Sequence, residues 1–210
     1  MNAQFISLEG GEGAGKSSAI QCIEAWLTEH EIPYVLTREP GGTPMAEEIR
    51  ELVLSARDEQ VAPNTELLLV FASRVQHLNE KIQPALAQGK WVISDRFVDS
   101  SYVYQGVARG INESVIDNLV DTFLKNQLPN KTLLLDVPVE LGLQRVQSRG
   151  ESNRLDGESL AFHQKVRDGF LHRASQDPER FVVVDASQAI ASVEAQIVAQ
   201  LNALLAGHNA

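Results

Sequence analysis

The chain has 210 residues, enough for one domain with a full hydrophobic core, and carries 28 acidic residues against 18 lysines and arginines. The formal net charge of −10 argues against a general nucleic-acid partner, which needs a basic footprint, but leaves room for an arginine cluster around a small anion. With 43% apolar and 22% charged residues it is compositionally globular, and no apolar run is long enough to suggest a membrane span.

The opening, MNAQFISLEG, has neither a basic start nor a cleavable apolar stretch, so no signal peptide is expected. Phe5 to Glu9 is the first predicted strand. Cys22 is the sole cysteine, which rules out an internal disulfide and points to the reducing cytoplasm. Further strands are expected at Tyr34–Thr37, Trp91–Ser94, Thr132–Asp136 and Phe181–Asp185. Their apolar runs are continuous rather than alternating, as in a parallel sheet buried on both faces. Between them lie helical patterns. One runs from about Thr65 to Ala87, ends at Gly89 and has Pro84 kinking its last turn; another covers Ile190 to Leu205 and reads as core packing rather than a partner face. Strands alternating with helices over short links predict a doubly wound α/β fold, with residues 1–210 as a single domain. The polar segment from Gln147 to Ser159 reads either as a surface loop or as a mobile lid.

The run LEGGEGAGKSS, Leu8 to Ser18, satisfies G-x-x-x-x-G-K-[ST] and sits between a predicted strand and helix. Backbone N–H groups of such a loop turn inward on a nucleoside triphosphate, and the helix N-terminus adds its dipole. Lys16 is placed to reach the β- and γ-phosphates and Ser17 to ligate Mg²⁺. Glu12 is the anomaly: a carboxylate about 5 Å from a phosphate costs roughly 3 kcal/mol at an effective dielectric near 20. Either the loop is no phosphate site, or Glu12 faces elsewhere.

Beyond the loop, guanine-reading signatures are missing: NKTL at Asn130 has Leu133 where N-K-x-D requires an aspartate. At the end of the third strand Asp95 is positioned as the acid that orders Mg²⁺, and Arg96 beside it offers a planar fork to a phosphate; a local ion pair is the plain alternative. TREPGG, Thr37 to Gly42, brings Arg38 to a second strand end, so two guanidiniums converge on a second anion, unless Arg38 merely holds its turn. Pro40 there is a candidate cis proline. The five histidines show no metal-ligand spacing and are expected to be surface or capped side chains.

Taken together, LEGGEGAGKS, TREPGGT, FASRVQH, DRFVDSSYVYQG and RVQSRGESNR resemble the thymidylate kinases, which transfer the γ-phosphoryl of ATP to dTMP. The resemblance implies the three-layer P-loop fold, with a five-stranded parallel sheet and a short lid over residues 147–159. It implies that Gly10, Gly11, Glu12, Gly13, Ala14, Gly15, Lys16, Ser17 and Ser18 hold ATP, with Arg145 on the adenine. Glu12 would turn to the 3′-hydroxyl of dTMP, and the positive charge the loop lacks would come from the lid arginines Arg149 and Arg154. Arg38 and Arg96 would hold the dTMP phosphate, Arg74 the thymine carbonyl and Tyr104 the deoxyribose. Ser101 and Gln105 would lie near the base or acceptor phosphate. Many members carry a thymine-stacking phenylalanine four residues before the arginine matching Arg74; that position is Val70 here, and Phe71 is the nearest substitute. Mg²⁺ as cofactor, a homodimer and a cytoplasmic location are also implied. The rival readings are another nucleotide kinase on the same fold and a P-loop protein that binds ATP only to regulate a partner.

Overall fold

The computed structural model describes residues 3–125, 127–149, 154–155 and 157–206. Its strands are β1 (Phe5–Glu9), β2 (Tyr34–Arg38), β3 (Trp91–Asp95), β4 (Lys131–Asp136) and β5 (Phe181–Asp185). They form one parallel sheet in the order β2-β3-β1-β4-β5. The chain leaves β1 toward β2 and β3 on one side and reaches β4 and β5 on the other. The end of β1 is therefore the switch point where parallel α/β sheets open a binding crevice.

The helices are α1 (Lys16–Glu29), α2 (Pro44–Leu54), α3 (Pro63–His77), α4 (Gln83–Ala87), α5 (Val98–Ser101), α6 (Glu113–Leu119), α7 (Val139–Arg149), α8 (Leu160–Gln176) and α9 (Ile190–Ala206). Local chemistry sets their starts. Thr43 caps α2 by accepting the Ala46 N–H at 3.3 Å, with Pro44 in the first turn, and Ser159 caps α8 by accepting the Phe162 N–H at 3.2 Å.

One sheet face packs on α1 and α9, where Ile6, Leu8, Ile23, Trp26, Leu133, Ile197 and Leu201 are buried together. The other face carries Phe5, Val92 and Phe97 against Leu67, Phe71 and Ile82, with Val166 and Phe170 of α8 beside Leu134. This is the expected three-layer architecture.

The helix expected over Thr65 to Ala87 is interrupted: a π turn at Leu78–Ile82 joins α3 to α4. In it the Gln83 N–H reaches back five residues to the Leu78 carbonyl, and it ends beside Pro84, which lacks the N–H that an uninterrupted α ladder would use there. The histidine expectation also fails at two positions, since His77 and His163 are buried.

Candidate active site

The site is built where β1, β2 and β3 end. The glycine-rich loop leaves β1 and closes on α7 at unusual proximity. A Cβ on Gly13, where φ is +70°, would sit 2.0 Å from the carbonyl oxygen of Gly142, and one on Gly142 would sit 2.4 Å from that of Glu12. Only paired glycines let the loop and α7 touch this way. Gly142 carries no motif signature, and sequence reading passed over it.

Lys16 opens α1 and stands 3.8 Å from Asp95 at the end of β3, the neighbouring strand. Burial and the Arg96 charge pull the Lys16 ammonium below its ordinary pKa. One oxygen of Asp95, Oδ1, is buried with no hydrogen-bond donor, and Ser17 lines the same cavity. A hydroxyl and a carboxylate with a spare oxygen suit a Mg²⁺ that keeps most of its waters and its phosphate ligands. No preformed cluster of three or more metal-binding side chains exists among the described residues.

Arg96 adopts φ 70°, a left-handed conformation that a non-glycine residue holds only under constraint. The constraint is visible: its N–H donates to Leu8 at 2.9 Å and its carbonyl accepts from Ser94 Oγ at 2.7 Å. So placed, its guanidinium donates to Glu12 at 3.1 Å and to Ser100 Oγ at 3.2 Å, with Tyr104 beneath at 4.9 Å. Burial opposes its charge, but Tyr104, Glu12, Asp95 and Glu9 outweigh that and hold its pKa above the ordinary value.

Glu12 also accepts the Tyr104 hydroxyl at 3.0 Å. Burial would raise its pKa, but Arg96 and Lys16 lower it, so the carboxylate stays ionised. Its hydrogen bonds go to Arg96 and Tyr104. Behind it, fully buried Glu9 accepts the Phe97 N–H at 2.8 Å and the Ser100 hydroxyl at 2.6 Å; burial pushes it up to about 7.

A cavity of ≈ 210 Å³ joins this centre to the ends of β2 and α3. Glu12, Lys16, Ser17, Arg38, Arg74, Asp95, Arg96, Ser101, Tyr104 and Gln105 all reach its wall. Arg38 is the loosest of them, exposed and bridged to Glu47 at 2.8 Å. Arg50 lines the same wall and was missed by sequence reasoning. It donates to the Pro40 carbonyl at 2.9 Å across a cis Glu39–Pro40 bond, and burial with Arg38 beside it lowers its pKa. Its segment, EEIREL, reads as a solvated helix face until the cap at Thr43 turns α2 back over the crevice.

Phe71 requires a correction. Glu66, Val70 and Arg74 recur every four residues on the cavity face of α3, whereas Phe71, one residue on, is rotated into the core beside Phe97. It lies under the Arg74 guanidinium at 4.9 Å rather than in the wall.

Arg154 also departs from expectation. It donates to Val53 O at 3.0 Å and pairs with buried Glu66, whose side chain lines the cavity. The Arg149 side chain and residues 150–153 and 156 lie outside the described residues.

On the other side of the loop a second cavity, ≈ 240 Å³, is lined by Gly15, Ser18, Arg145, Ala186, Gln188 and Ile190. Arg145 is held there by the Ala186 carbonyl at 3.1 Å. The loop thus faces two chambers, one beside Arg145 and one beside Arg96.

A family model described as thymidylate kinase matches residues 8–197. The chain belongs to the thymidylate kinase family. It is 63% identical over 201 residues to the thymidylate kinase of Marinomonas sp. (strain MWYL1), an alignment covering 96% of this chain and 95% of that one. The thymidylate kinase of Pseudomonas fluorescens (strain SBW25) is 51% identical over 206 residues, 98% of each chain. The crystal structure of thymidylate kinase from Ehrlichia chaffeensis superposes with a TM-score of 0.77 at 32% identity, covering 96% of this chain and 99% of that one.

Proposed function

We propose that the chain carries out its family's reaction, phosphorylation of dTMP to dTDP by ATP for dTTP synthesis, through direct in-line transfer across the loop. The observation that carries this reading is the pairing of Glu12 with Arg96 and Tyr104, which supports an acceptor-facing role for this carboxylate beside the phosphate-binding loop. ATP lies along residues 10–18, with adenine beside Arg145 and the β- and γ-phosphates on the loop amides and Lys16. The dTMP phosphate rests on Arg96 and Arg38, with Arg50 within the same wall. Glu12 accepts the 3′-hydroxyl, Tyr104 fills the space a 2′-hydroxyl would take, and Arg74 donates to the thymine carbonyl. Ser101 and Gln105 complete the base end.

Transfer through a loose transition state asks for alignment and charge neutralisation rather than a covalent intermediate or a strong base. Lys16 and Arg96 flank the phosphoryl in flight and prevent charge from accumulating between the two nucleotides. Arg149 and Arg154 supply further positive charge from the segment over residues 147–159; for Arg154 this requires leaving Glu66. Ser17 and Asp95 are the residues that would hold Mg²⁺, which would supply Lewis-acid withdrawal of charge from the transferring phosphoryl. A single domain with this short lid, a cytoplasmic location and a homodimer complete the proposal. No described helix is long and apolar enough to cross a membrane, and more than half-exposed Met45, Leu52 and Leu68 on α2 and α3 offer apolar surface to a second copy.

The test is ADP release from Mg·ATP with dTMP, dUMP, dGMP, dCMP, AMP and thymidine offered separately. Strong preference for dTMP is expected. Preference for another acceptor would overturn the base-site assignments, and absence of acceptor-dependent ADP release from ATP-binding protein would favour a regulatory role.

A further inference from the structure

Arg74 is among the largest side chains fully buried in the described structure, and it lines the cavity. A guanidinium has five N–H donors. Three are committed: Nε to Glu39 Oε2 at 2.7 Å, Nη1 to Ser101 Oγ at 2.8 Å and Nη2 to the Phe97 carbonyl at 3.1 Å. Phe71 and Phe97 flank the plane at 4.9 and 5.5 Å. What remains is one N–H on each terminal nitrogen, with the guanidinium held in place by its partners.

Glu39 is itself fixed. Only 3% exposed, it accepts from His77 Nδ1 at 2.9 Å through its second oxygen, and His77 Nε2 meets Thr37 Oγ1 at 2.6 Å. With Nδ1 donating to the carboxylate, a neutral ring leaves Nε2 to accept the Thr37 hydroxyl, so each polar atom of the relay is used. The relay runs from the end of β2 through the carboxylate to α3. Among the described residues, its side-chain hydrogen bonds go to none of Lys16, Arg96 or Glu12.

We propose that Glu39, braced by His77 and Thr37, is the positioning residue that aims Arg74 at the acceptor base and so sets base specificity. The proposal rests on the dTMP reading above. Two N–H donors held in place fit a carbonyl at ring position 4 of thymine; the amino group that cytosine carries there would set donor against donor. A neutralised guanidinium also suits a neutral base edge, leaving the acceptor phosphate to Arg38, Arg50 and Arg96.

The experiment is steady-state kinetics of Glu39→Gln with ATP, dTMP and dCMP. Glutamine keeps shape, and a change of His77 tautomer keeps every hydrogen bond, so the variant removes chiefly the charge. The expected result is a KM for dTMP raised about tenfold or more, with kcat and the KM for ATP within about threefold, and a kcat/KM ratio of dTMP over dCMP that falls about tenfold. His77→Leu should reproduce this split. His77→Asn, which restores an N–H at the Nδ1 position, should recover most of the loss. If Glu39→Gln melts below assay temperature, Glu39→Asp, which keeps the charge but withdraws it by one methylene, should show the same split. A dTMP KM and base ratio both within about twofold of the parent overturn the inference, as does a parallel loss on ATP and both acceptors, which marks a merely structural role. A parent without dTMP-dependent turnover overturns the dTMP reading itself; a parent that turns over dTMP beside an indifferent Glu39→Gln overturns this inference alone.

Discussion

Glu9 offers the sharpest test of the electrostatics beneath the loop. It is the last residue of β1, fully buried, and its carboxyl is pushed from 4.5 up to about 7. Burial is the main cause; Asp99 adds to it, while Arg96 and the bonds from Ser100 and the Phe97 N–H oppose it. Because the folded pKa lies above the unfolded one, the native state holds this proton more tightly. The stabilisation is fully present below pH 4.5 and is lost as pH rises through about 7. At about 1.4 kcal/mol per tenfold change in proton affinity, the loss amounts to about 3 kcal/mol. Glu9→Gln keeps an oxygen for the Phe97 N–H and offers an amide to Ser100, yet never ionises. Its stability relative to the parent should therefore climb by about 3 kcal/mol between pH 5 and pH 8. In thermal melts that is a relative gain of about 6–10 °C across the range for a chain of this size. Paired melts of parent and variant in one buffer series measure it. A constant offset at every pH would show that Glu9 ionises freely in the fold and would refute the argument.

Three further outcomes follow from the site. Lys16→Ala and Arg96→Ala should each lower kcat by about 10²–10³-fold in the ADP-release assay, since each removes a preorganised charge at the transferring phosphoryl; near-parental turnover in either would remove that residue from the mechanism. Glu12→Gln should raise the KM for dTMP about tenfold and leave that for ATP nearly unchanged, because the carboxylate faces Arg96 and Tyr104. Equal loss on both substrates would reject the acceptor-facing role. Tyr104→Ala opens space beside Phe162 and Phe170 and should cost about 3 kcal/mol of stability, but within that variant ribothymidine monophosphate should gain on dTMP as acceptor. An unchanged sugar ratio would reject the gate.

A feature of this fold is legible in the sequence to the extent that it is local. The five strands are continuous apolar runs, so each was placed to within a residue or two at either end. The phosphate loop is a single contiguous motif, and Asp95, Arg96 and Arg38 stand at strand ends that any parallel sheet brings together. Phe71 failed for a matter of angle: positions three and four residues before Arg74 share a helix face only loosely, and packing against Phe97 decided between them. Arg50 failed because its charge pattern suits solvent equally well.

The deeper loss is in the pairing of charges. Arg74 with Glu39 is separated by 35 residues, Arg154 with Glu66 by 88, and Arg180 with Asp99 by 81. No sequence spacing joins these partners: Arg74 has no acid three or four residues away, and Arg180 pairs with Asp177, three residues before it, as well as with Asp99. Burial selects the distant partner. An arginine taken out of water must find a carboxylate that the fold has also taken out of water, and only the sheet's order says which those are. Asp99 shows the consequence: it is fully buried, yet its pKa is lowered, because Arg180 and Arg173 more than offset the cost of desolvation. It lies three residues after Arg96 and two before Ser101, so the two arginines fasten the segment that carries the acceptor-facing side chains to α8 and the start of β5. Charge pairs of this kind contribute little net stability, but they fix geometry, and a reaction that depends on alignment needs geometry fixed more than it needs a deeper core.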